Sequence, residues 1–305
     1  MLTVSNYHYI RENFTAPYPS IYGITPDYFR KQLVLLKNQG DFIEPHYLVE
    51  NLKEVLESID NHILITFDDG LKEQFENALP ILNELNIPAL FFINSINHIE
   101  KKVSLAHQIH LVRSVISSDA LFDNLVKDSN RKLNQLEIQQ AHQFYRFDNS
   151  KSAELKFFLN VLLDFATQEK FINSIFTKHF NESEVLENLY MSTNEIQQLI
   201  QRGFIGSHTH THLPLGIYDE QTILYELETT KKYLENLGGK TINYVAYPFG
   251  TKEAATQEVG RLAKQVGYKI GFTTNPEVNN GSNIPLLLNR FDCNDLIGGK
   301  NYRCK

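Results

Sequence analysis

Residues 62–70 read HILITFDDG, and this stretch indicates the architecture of the chain. The run His62–Phe67 is rich in β-branched and aromatic residues, which is typical of a buried strand. Two aspartates and a glycine follow it directly, and residues 72–85 then carry apolar side chains at helical spacing. The stretch therefore predicts a strand, a loop and a helix in that order.

The same order of elements recurs along the rest of the chain. Helices are predicted from apolar residues at helical spacing and from start signals such as Thr25-Pro26 and Thr193. Because strands alternate with amphipathic helices, we expect an α/β protein with a parallel sheet covered by helices. Further strands are predicted at residues 87–94, 204–207, 242–247, 269–273 and 286–288, and further helices at 26–38, 193–202, 219–237 and 252–266.

Residues 104–187 break this alternation. They contain no proline, show helical spacing of apolar residues and offer no convincing strand, which predicts an all-helical insertion. The chain is thus expected to form two parts of one α/β domain, 1–103 and 188–305, on either side of the insertion. A structural cap or dimer surface and a lid that shapes substrate choice are both open interpretations of the insertion.

The bulk composition of the 305 residues is that of a globular protein, with 42% hydrophobic residues. A formal net charge of -7 gives no electrostatic reason to bind nucleic acid or anionic lipid, because such binding needs clustered Lys and Arg. Residues 1–14 do not resemble a signal peptide, and no run of 18 apolar residues predicts a transmembrane segment. We therefore expect a cytoplasmic protein that acts on a neutral or small-molecule substrate.

The two cysteines, Cys293 and Cys304, lie near the C-terminus and far from the acidic and histidine clusters. Two cysteines in this position suggest neither a disulfide framework nor a cysteine metal site. We expect both to be structural free thiols.

Asp68 and Asp69 are adjacent carboxylates at the C-terminal end of a predicted buried strand. Like charges this close raise each other's pKa unless a cation resolves the conflict. In parallel α/β architectures, ligands and catalytic groups collect at the C-terminal ends of strands. The pair is therefore a candidate metal site, although Asp-Asp-Gly alone is also an ordinary turn.

A second cluster, Ser207-His208-Thr209-His210-Thr211-His212, also follows a short predicted strand. On a helical turn, His208 and His212 would lie one above the other and could bind one ion. On an extended chain, all three histidines would instead share a face. Either geometry favours a metal over a set of solvent-exposed histidines.

Two histidines and one carboxylate leave coordination positions open for water and substrate, which is typical of a catalytic metal site. Such a site generates hydroxide near neutral pH and polarises a carbonyl group. A neighbouring carboxylate that does not bind the ion can accept the proton of that water. Hydrolysis of an amide or ester is the reaction class that this set of residues predicts.

The two clusters resemble the polysaccharide deacetylase family, also called the NodB homology domain or carbohydrate esterase family 4. Thr66-Phe67-Asp68-Asp69-Gly70 matches the first motif of that family, and residues 208–212 match the second. The resemblance implies that Asp68 is the catalytic base, that Asp69, His208 and His212 bind the metal, and that His210 does not. Zinc is the favoured ion, and cobalt, nickel, iron and manganese are compatible with the same ligands.

The stretch Tyr247-Pro248-Phe249-Gly250 resembles a variant of the third family motif. In the usual form an arginine stands where this chain has Ala246. The backbone N–H after such a proline is a plausible oxyanion donor, so the resemblance nominates Phe249 through its amide.

One expected histidine is missing from the chain. A later family motif supplies a catalytic acid, but the comparable stretch here reads Leu287-Leu288-Asn289-Arg290, and no histidine follows His212. The stretch Tyr7-His8-Tyr9 resembles an element near the start of many members, which makes His8 a candidate for the acid. His107 and His110 in the helical insertion are further candidates.

The resemblance implies a distorted or incomplete seven-stranded (β/α) barrel. It also implies an enzyme that removes an N-acetyl group from an N-acetylated amino sugar or a sugar-containing glycan precursor, in the biosynthesis of a surface polysaccharide. Two alternatives are another amide hydrolase of the family, such as a deformylase or ring-opening amidase, and a catalytically silent sugar-binding protein. The sequence leaves open whether the protein forms a homo-oligomer.

Overall fold

The computed structural model describes residues 1–146 and 148–302. The chain forms two compact units: the first consists of Met1–Asn13, Gly23–Lys102 and Val185–Lys305, and the second of Phe14–Tyr22 and Val103–Glu184. All residues of the two candidate clusters belong to the first unit. Among the described residues, no helix combines the length and apolarity that a membrane crossing requires.

The first unit contains a sheet in which every strand pair is parallel. Seven strands lie in the order β7-β6-β5-β4-β3-β1-β8, and β2 pairs with β3 beside that path. The strands are β1 Leu2–Tyr7, β2 Asp41–Phe42, β3 His62–Phe67, β4 Ala89–Ile93, β5 Ile205–Ser207, β6 Tyr244–Ala246, β7 Ile270–Phe272 and β8 Phe291–Asp292.

Helices connect most of the strands. They are α1 Pro26–Lys37, α2 Pro45–Glu50, α3 Leu52–Glu57, α4 Leu79–Leu85, α5 Ile96–Ile99, α6 Leu105–Val115, α7 Ser118–Ser129, α8 Gln135–Phe144, α9 Ser150–Phe157, α10 Phe165–His179, α11 Glu182–Leu189, α12 Thr193–Arg202, α13 Glu220–Gly238 and α14 Gln257–Val266. A run of six helices, α6 to α11, lies between β4 and β5 in the described residues. The alternation of strands and helices in the first unit agrees with the expected α/β class.

The sheet of the first unit is a curled half-barrel, and one stretch of chain touches both of its edges. Leu288 bridges to Phe272 of β7, and Phe291, three residues later, pairs with Ser5 of β1. Both faces of the central strands β3 and β4 are buried. Side chains from several strands pack together in one hydrophobic core. The distorted (β/α) barrel predicted from the sequence is thereby confirmed.

Several helix boundaries follow from local side-chain chemistry. Thr25 caps α1 by accepting a hydrogen bond from the backbone N–H of Tyr28, and Pro26 occupies the first turn. Ser192, one residue before the start signal expected at Thr193, forms a capping box with Glu195 at α12. Gly203 ends α12 in the left-handed conformation at φ +76°.

Three predicted elements differ from the observed ones. The helix expected over 72–85 starts at Lys72 as predicted but is interrupted by a π-helical turn, Gln74–Ala78, next to Pro80, which lacks the N–H that a continuous α-helix requires. The helix expected from residue 252 begins only at Gln257, where the Thr256 side chain caps it. Within residues 286–288, Leu288 makes an isolated bridge, and the regular last strand is β8.

The described residues of the second unit contain helices and no strand. Its helices begin at polar N-caps: Ser117, Asn134, Asn149 and Asp164 each accept a backbone hydrogen bond in the first turn. Apolar side chains fill its interior, with Phe122 and Phe158 in edge-to-face contact at 6.2 Å. The stretch that the sequence predicts to be an insertion is therefore helical.

Cys293 is buried and does not form a disulfide. Its thiol lies in the first unit, next to the last strand. Cys304, the other predicted free thiol, lies outside the described residues.

Candidate active site

The candidate residues lie in loops that follow the C-terminal ends of neighbouring parallel strands. His8 comes directly after β1, Asp68 and Asp69 after β3, and His208 after β5. Tyr247 follows β6 in the same way. Because parallel strands end at one edge of the sheet, the fold brings these distant positions together.

Asp69, His208 and His212 form the candidate metal site. One ligand atom from each residue lies within 4.8 Å of the others. The Oδ1 atom of Asp69 is 3.5 Å from Nε2 of His208 and 3.3 Å from Nε2 of His212. The opposite ring nitrogen of His208, Nδ1, lies 2.8 Å from the carbonyl oxygen of Ala246, so Nε2 presents its lone pair to the site. This donor set fits a divalent ion of the zinc type.

The two histidines differ in their titration. Burial lowers the pKa of His208 to about 4, against the opposite effect of the Asp68 and Asp69 charges. Burial alone would also lower the pKa of His212, but its hydrogen bond to Asp69 and the nearby carboxylate charges raise that pKa above the usual value. His208 is therefore neutral near pH 7, which is the form that binds a metal.

Asp68 is held by Arg290, which is fully buried. The guanidinium donates two hydrogen bonds to the carboxylate, with Nη1 2.7 Å from Oδ1 and Nη2 2.8 Å from Oδ2. Burial alone would raise the pKa of Asp68, but the charge of Arg290 and its hydrogen bonds hold that pKa below the usual value. Asp68 is thus an ionised carboxylate next to the candidate metal site.

Sequence reasoning missed Arg290. It lies 222 residues after Asp68, so no local pattern connects the two. The available signal was an arginine two residues after the apolar run Leu286-Leu287-Leu288, because an arginine buried with that run requires an acidic partner. The usual form of the third motif has an arginine at the position of Ala246. In this chain the guanidinium at the site is that of Arg290, which comes from a different segment.

His8 lies beside both carboxylates. Its Nε2 atom is 4.0 Å from Oδ2 of Asp68 and 3.9 Å from Oδ2 of Asp69, and its side chain is 37% exposed. The buried side chain of Gln74 donates hydrogen bonds to the carbonyl oxygens of His8 at 3.0 Å and of Asp68 at 2.6 Å. His8 is therefore within reach of a group bound at the site and still accessible to it.

The other candidate acids lie in the second unit. There the rings of His107 and His110 are 6.1 Å apart. His107 is buried, and its Nδ1 atom lies 3.0 Å from the hydroxyl of Ser104.

Phe249 occupies a tight turn next to His212. Its backbone has a φ of +61°, which is unusual for a bulky residue, and its ring contacts the His212 ring at 5.2 Å. The hydroxyl of Thr274 donates to the carbonyl oxygen of Phe249 at 2.8 Å, and Gly250 N–H donates to the Pro248 carbonyl at 2.7 Å. The turn therefore places the Phe249 ring against one ligand of the candidate metal site, and hydrogen bonds fix the backbone of the turn.

Comparisons with known proteins place this site in a family. A model of the family described as polysaccharide deacetylase matches residues 57–141 and 159–271, which together make up more than half of the chain. YxkH of Bacillus subtilis (strain 168), whose name assigns it to the polysaccharide deacetylases, is 28% identical over 88 residues. That alignment spans 28% of this chain and 30% of the relative.

Solved structures share the fold along nearly the whole chain. The deacetylase PplD of Streptococcus pyogenes, in complex with acetate, matches with a TM-score of 0.59 and 17% identity over 95% of this chain and 91% of that one. IcaB of Ammonifex degensii matches with a TM-score of 0.55 and 19% identity over 95% and 90% of the two chains. The matching segments of the family model include both the Asp68-Asp69 pair and the histidine cluster. The chain belongs to the polysaccharide deacetylase family.

Proposed function

We propose that the protein is a metal-dependent hydrolase that removes the N-acetyl group from an N-acetylated amino sugar. The observation that carries the proposal is the convergence of Asp69, His208 and His212 next to the ionised carboxylate of Asp68. A divalent ion held by the three ligands would polarise the amide carbonyl and lower the pKa of a water molecule. Zinc suits two imidazoles and one carboxylate best.

Asp68 is the proposed general base. Its carboxylate accepts a proton from the attacking water while the water oxygen forms a bond to the acetyl carbon. Arg290 keeps this carboxylate ionised and fixes its plane through two hydrogen bonds. The base is therefore in the correct protonation state before the substrate arrives.

Phe249 and His8 complete the proposed reaction. The backbone N–H of Phe249 donates a hydrogen bond to the oxyanion that forms when water adds to the carbonyl. His8 donates a proton to the amide nitrogen as the C–N bond breaks, so that a free amine and acetate are released. His8 thereby takes the place of the catalytic histidine that the later family motif would supply.

The proposed substrate class is an N-acetylated sugar or a sugar-containing precursor of a surface polysaccharide. Membership of the polysaccharide deacetylase family supports this class. The formal net charge of -7 agrees with a substrate that carries no phosphate backbone.

Acetate release tests the proposal. The protein is freed of metal with a chelator, reloaded with Zn²⁺ or Co²⁺, and incubated with N-acetylated oligosaccharides. We expect acetate only in the reloaded sample, whereas formate or a ureido acid from other amides would indicate that the enzyme hydrolyses a different amide bond.

Asp68→Asn should keep the bound metal and lose turnover by about 10²-fold or more. His208→Ala should lose both metal and turnover, and His46→Ala, whose side chain is 81% exposed, serves as the control.

The role of His8 is tested by changing the leaving group. An amide needs a proton on its nitrogen to break the C–N bond, whereas p-nitrophenyl acetate releases a stable anion without one. We expect His8→Gln to lower turnover of the N-acetylated sugar by about 10²-fold and to leave p-nitrophenyl acetate hydrolysis nearly unchanged. Equal losses on both substrates would show that His8 is not the acid.

A further inference from the structure

The loop between the two metal-ligand histidines has a strained backbone. Thr209 and His212 both adopt left-handed conformations, with φ of +62° and +65°, although neither is a glycine. Such a conformation is unfavourable for a residue with a side chain and persists only where its surroundings fix it. The contacts that hold residues 208–212 therefore determine where the two imidazoles point.

His210 lies between the two ligands and contacts other parts of the protein. It is 1% exposed, and both of its ring nitrogens have partners. Its Nδ1 atom is 2.8 Å from the Ser95 hydroxyl, and its Nε2 atom is 3.0 Å from a carboxylate oxygen of Glu100. The Ser95 hydroxyl in turn lies 2.6 Å from that of Thr230 on α13.

These four side chains form one directed chain of hydrogen bonds. The hydrogen bonds from Lys102 and His210 lower the pKa of Glu100, which is therefore ionised and can only accept. With a neutral imidazole, Nε2 donates to Glu100, Nδ1 accepts from Ser95, and Ser95 accepts from Thr230. Ser95 is 0% exposed, so this serine, histidine and carboxylate cannot serve as a nucleophilic triad.

Two more contacts hold the same short stretch. The backbone N–H of Ile96 donates to the carbonyl oxygen of His210 at 3.1 Å. Thr211 donates through both its N–H and its hydroxyl to the buried carboxylate of Glu226. Glu226 and Thr230 lie one turn apart on α13, so one face of this helix contacts Thr211 directly and His210 through Ser95.

We propose that His210 is a positioning residue of the metal site, which sets the directions of His208 and His212 without binding the ion. This inference rests on the proposed function, because it assumes that His208 and His212 hold a metal. The imidazole connects the strained loop to Ser95 after β4, to Glu100 after α5 and, through Ser95, to α13. Groups that orient metal ligands typically contribute about 10-fold to 100-fold in metal affinity.

Metal titration of His210→Gln tests the proposal. We measure Co²⁺ affinity by calorimetry and the visible absorption of the bound Co²⁺, which reports the ligand geometry independently of activity. His210→Gln should weaken Co²⁺ binding about 10-fold to 100-fold and change the absorption spectrum. The control is His98→Gln on α5, a histidine whose ring stacks on Tyr233 at a centroid distance of 5.6 Å. This variant should bind Co²⁺ like the wild type.

A second variant covers the case in which His210→Gln does not fold. Glu100→Ala removes the partner of Nε2 at a side chain that is 35% exposed, and it should weaken Co²⁺ binding in the same direction by a smaller factor. Lower thermal stability with unchanged Co²⁺ affinity and spectrum in these variants would overturn the positioning role alone. A wild-type protein that binds no Co²⁺ would overturn both this inference and the proposed function.

Discussion

The pair of Asp68 and Arg290 shows how one buried charge depends on another. Both side chains are almost completely buried, and their mutual hydrogen bonds replace the water that each has lost. Such a pair contributes little net stability by itself, because desolvation offsets the attraction between the charges. Removing one partner is different, since it leaves an unpaired charge in the interior.

Arg290→Met should lower the free energy of unfolding by about 3 kcal/mol, because it leaves the buried Asp68 carboxylate without its guanidinium. The matched control is Arg30→Met, which removes two exposed hydrogen bonds to Glu84 and should cost far less stability than Arg290→Met, because water replaces the lost partner. Urea titration followed by circular dichroism measures both values. If the two arginine variants lose the same stability, burial does not determine the strength of the pair.

A double-mutant cycle separates the pair from the rest of the site. Combining Asp68→Asn with Arg290→Met should cost clearly less than the sum of the two single changes, because neither partner is then left charged and alone. Additive losses would mean that the two residues do not stabilise each other.

At the scale of the element, the turn after β6 depends on a glycine. Gly250 has a φ of +58°, and an added Cβ would lie 2.6 Å from the backbone nitrogen of Thr274. Gly239 at the end of α13 has a similar φ of +66°, with nothing within 4 Å of an added Cβ. The two positions therefore share the backbone strain of a substitution and differ in the steric clash.

Gly239→Ala should cost about 1 kcal/mol in free energy of unfolding, which is the strain of an alanine in the left-handed region. Gly250→Ala should cost more, because Thr274 must also move, and it should reduce deacetylation by displacing the Phe249 amide. Stability is measured by urea titration and activity by acetate release. Equal stability losses, with full activity in Gly250→Ala, would argue against a role for this turn.

Most regular elements could be predicted because their signals are local. The strand His62–Phe67 and the helix Thr193–Arg202 have the bounds that residue pattern and start and stop signals predict. The strand β1 was not predicted, the helix expected from residue 252 begins only at Gln257, and the helix expected over 72–85 contains an unpredicted π-helical turn. The π-helical turn depends on Pro80 and the late helix start on the Thr256 cap. The strand β1 depends on its pairing with β3, which lies about 60 residues away and outside any local window of sequence.

At the scale of the whole molecule, the candidate metal ligands could be predicted and their surroundings could not. Motif order identifies Asp69, His208 and His212, because each cluster follows a strand and strand ends meet at one edge. The contacts of Arg290 and His210 arise only when the stretch after β7 crosses to β1 and when α13 packs near the histidine loop. Their partners are more than 100 residues away in sequence, so pattern alone does not reveal them.

Metal binding should stabilise the folded molecule, because the three ligands come from two loops that are far apart in sequence and separate on unfolding. Zn²⁺ at about 100 times its Kd should add about 2.7 kcal/mol to the free energy of unfolding. For a domain of this size that corresponds to a rise in Tm of roughly 5–10 °C. Thermal melting followed by circular dichroism, with and without a chelator, measures the shift. His212→Asn should lose most of it, whereas the exposed His46→Asn should keep it in full. A full shift in His212→Asn would mean that the ion stabilises the protein from a different site.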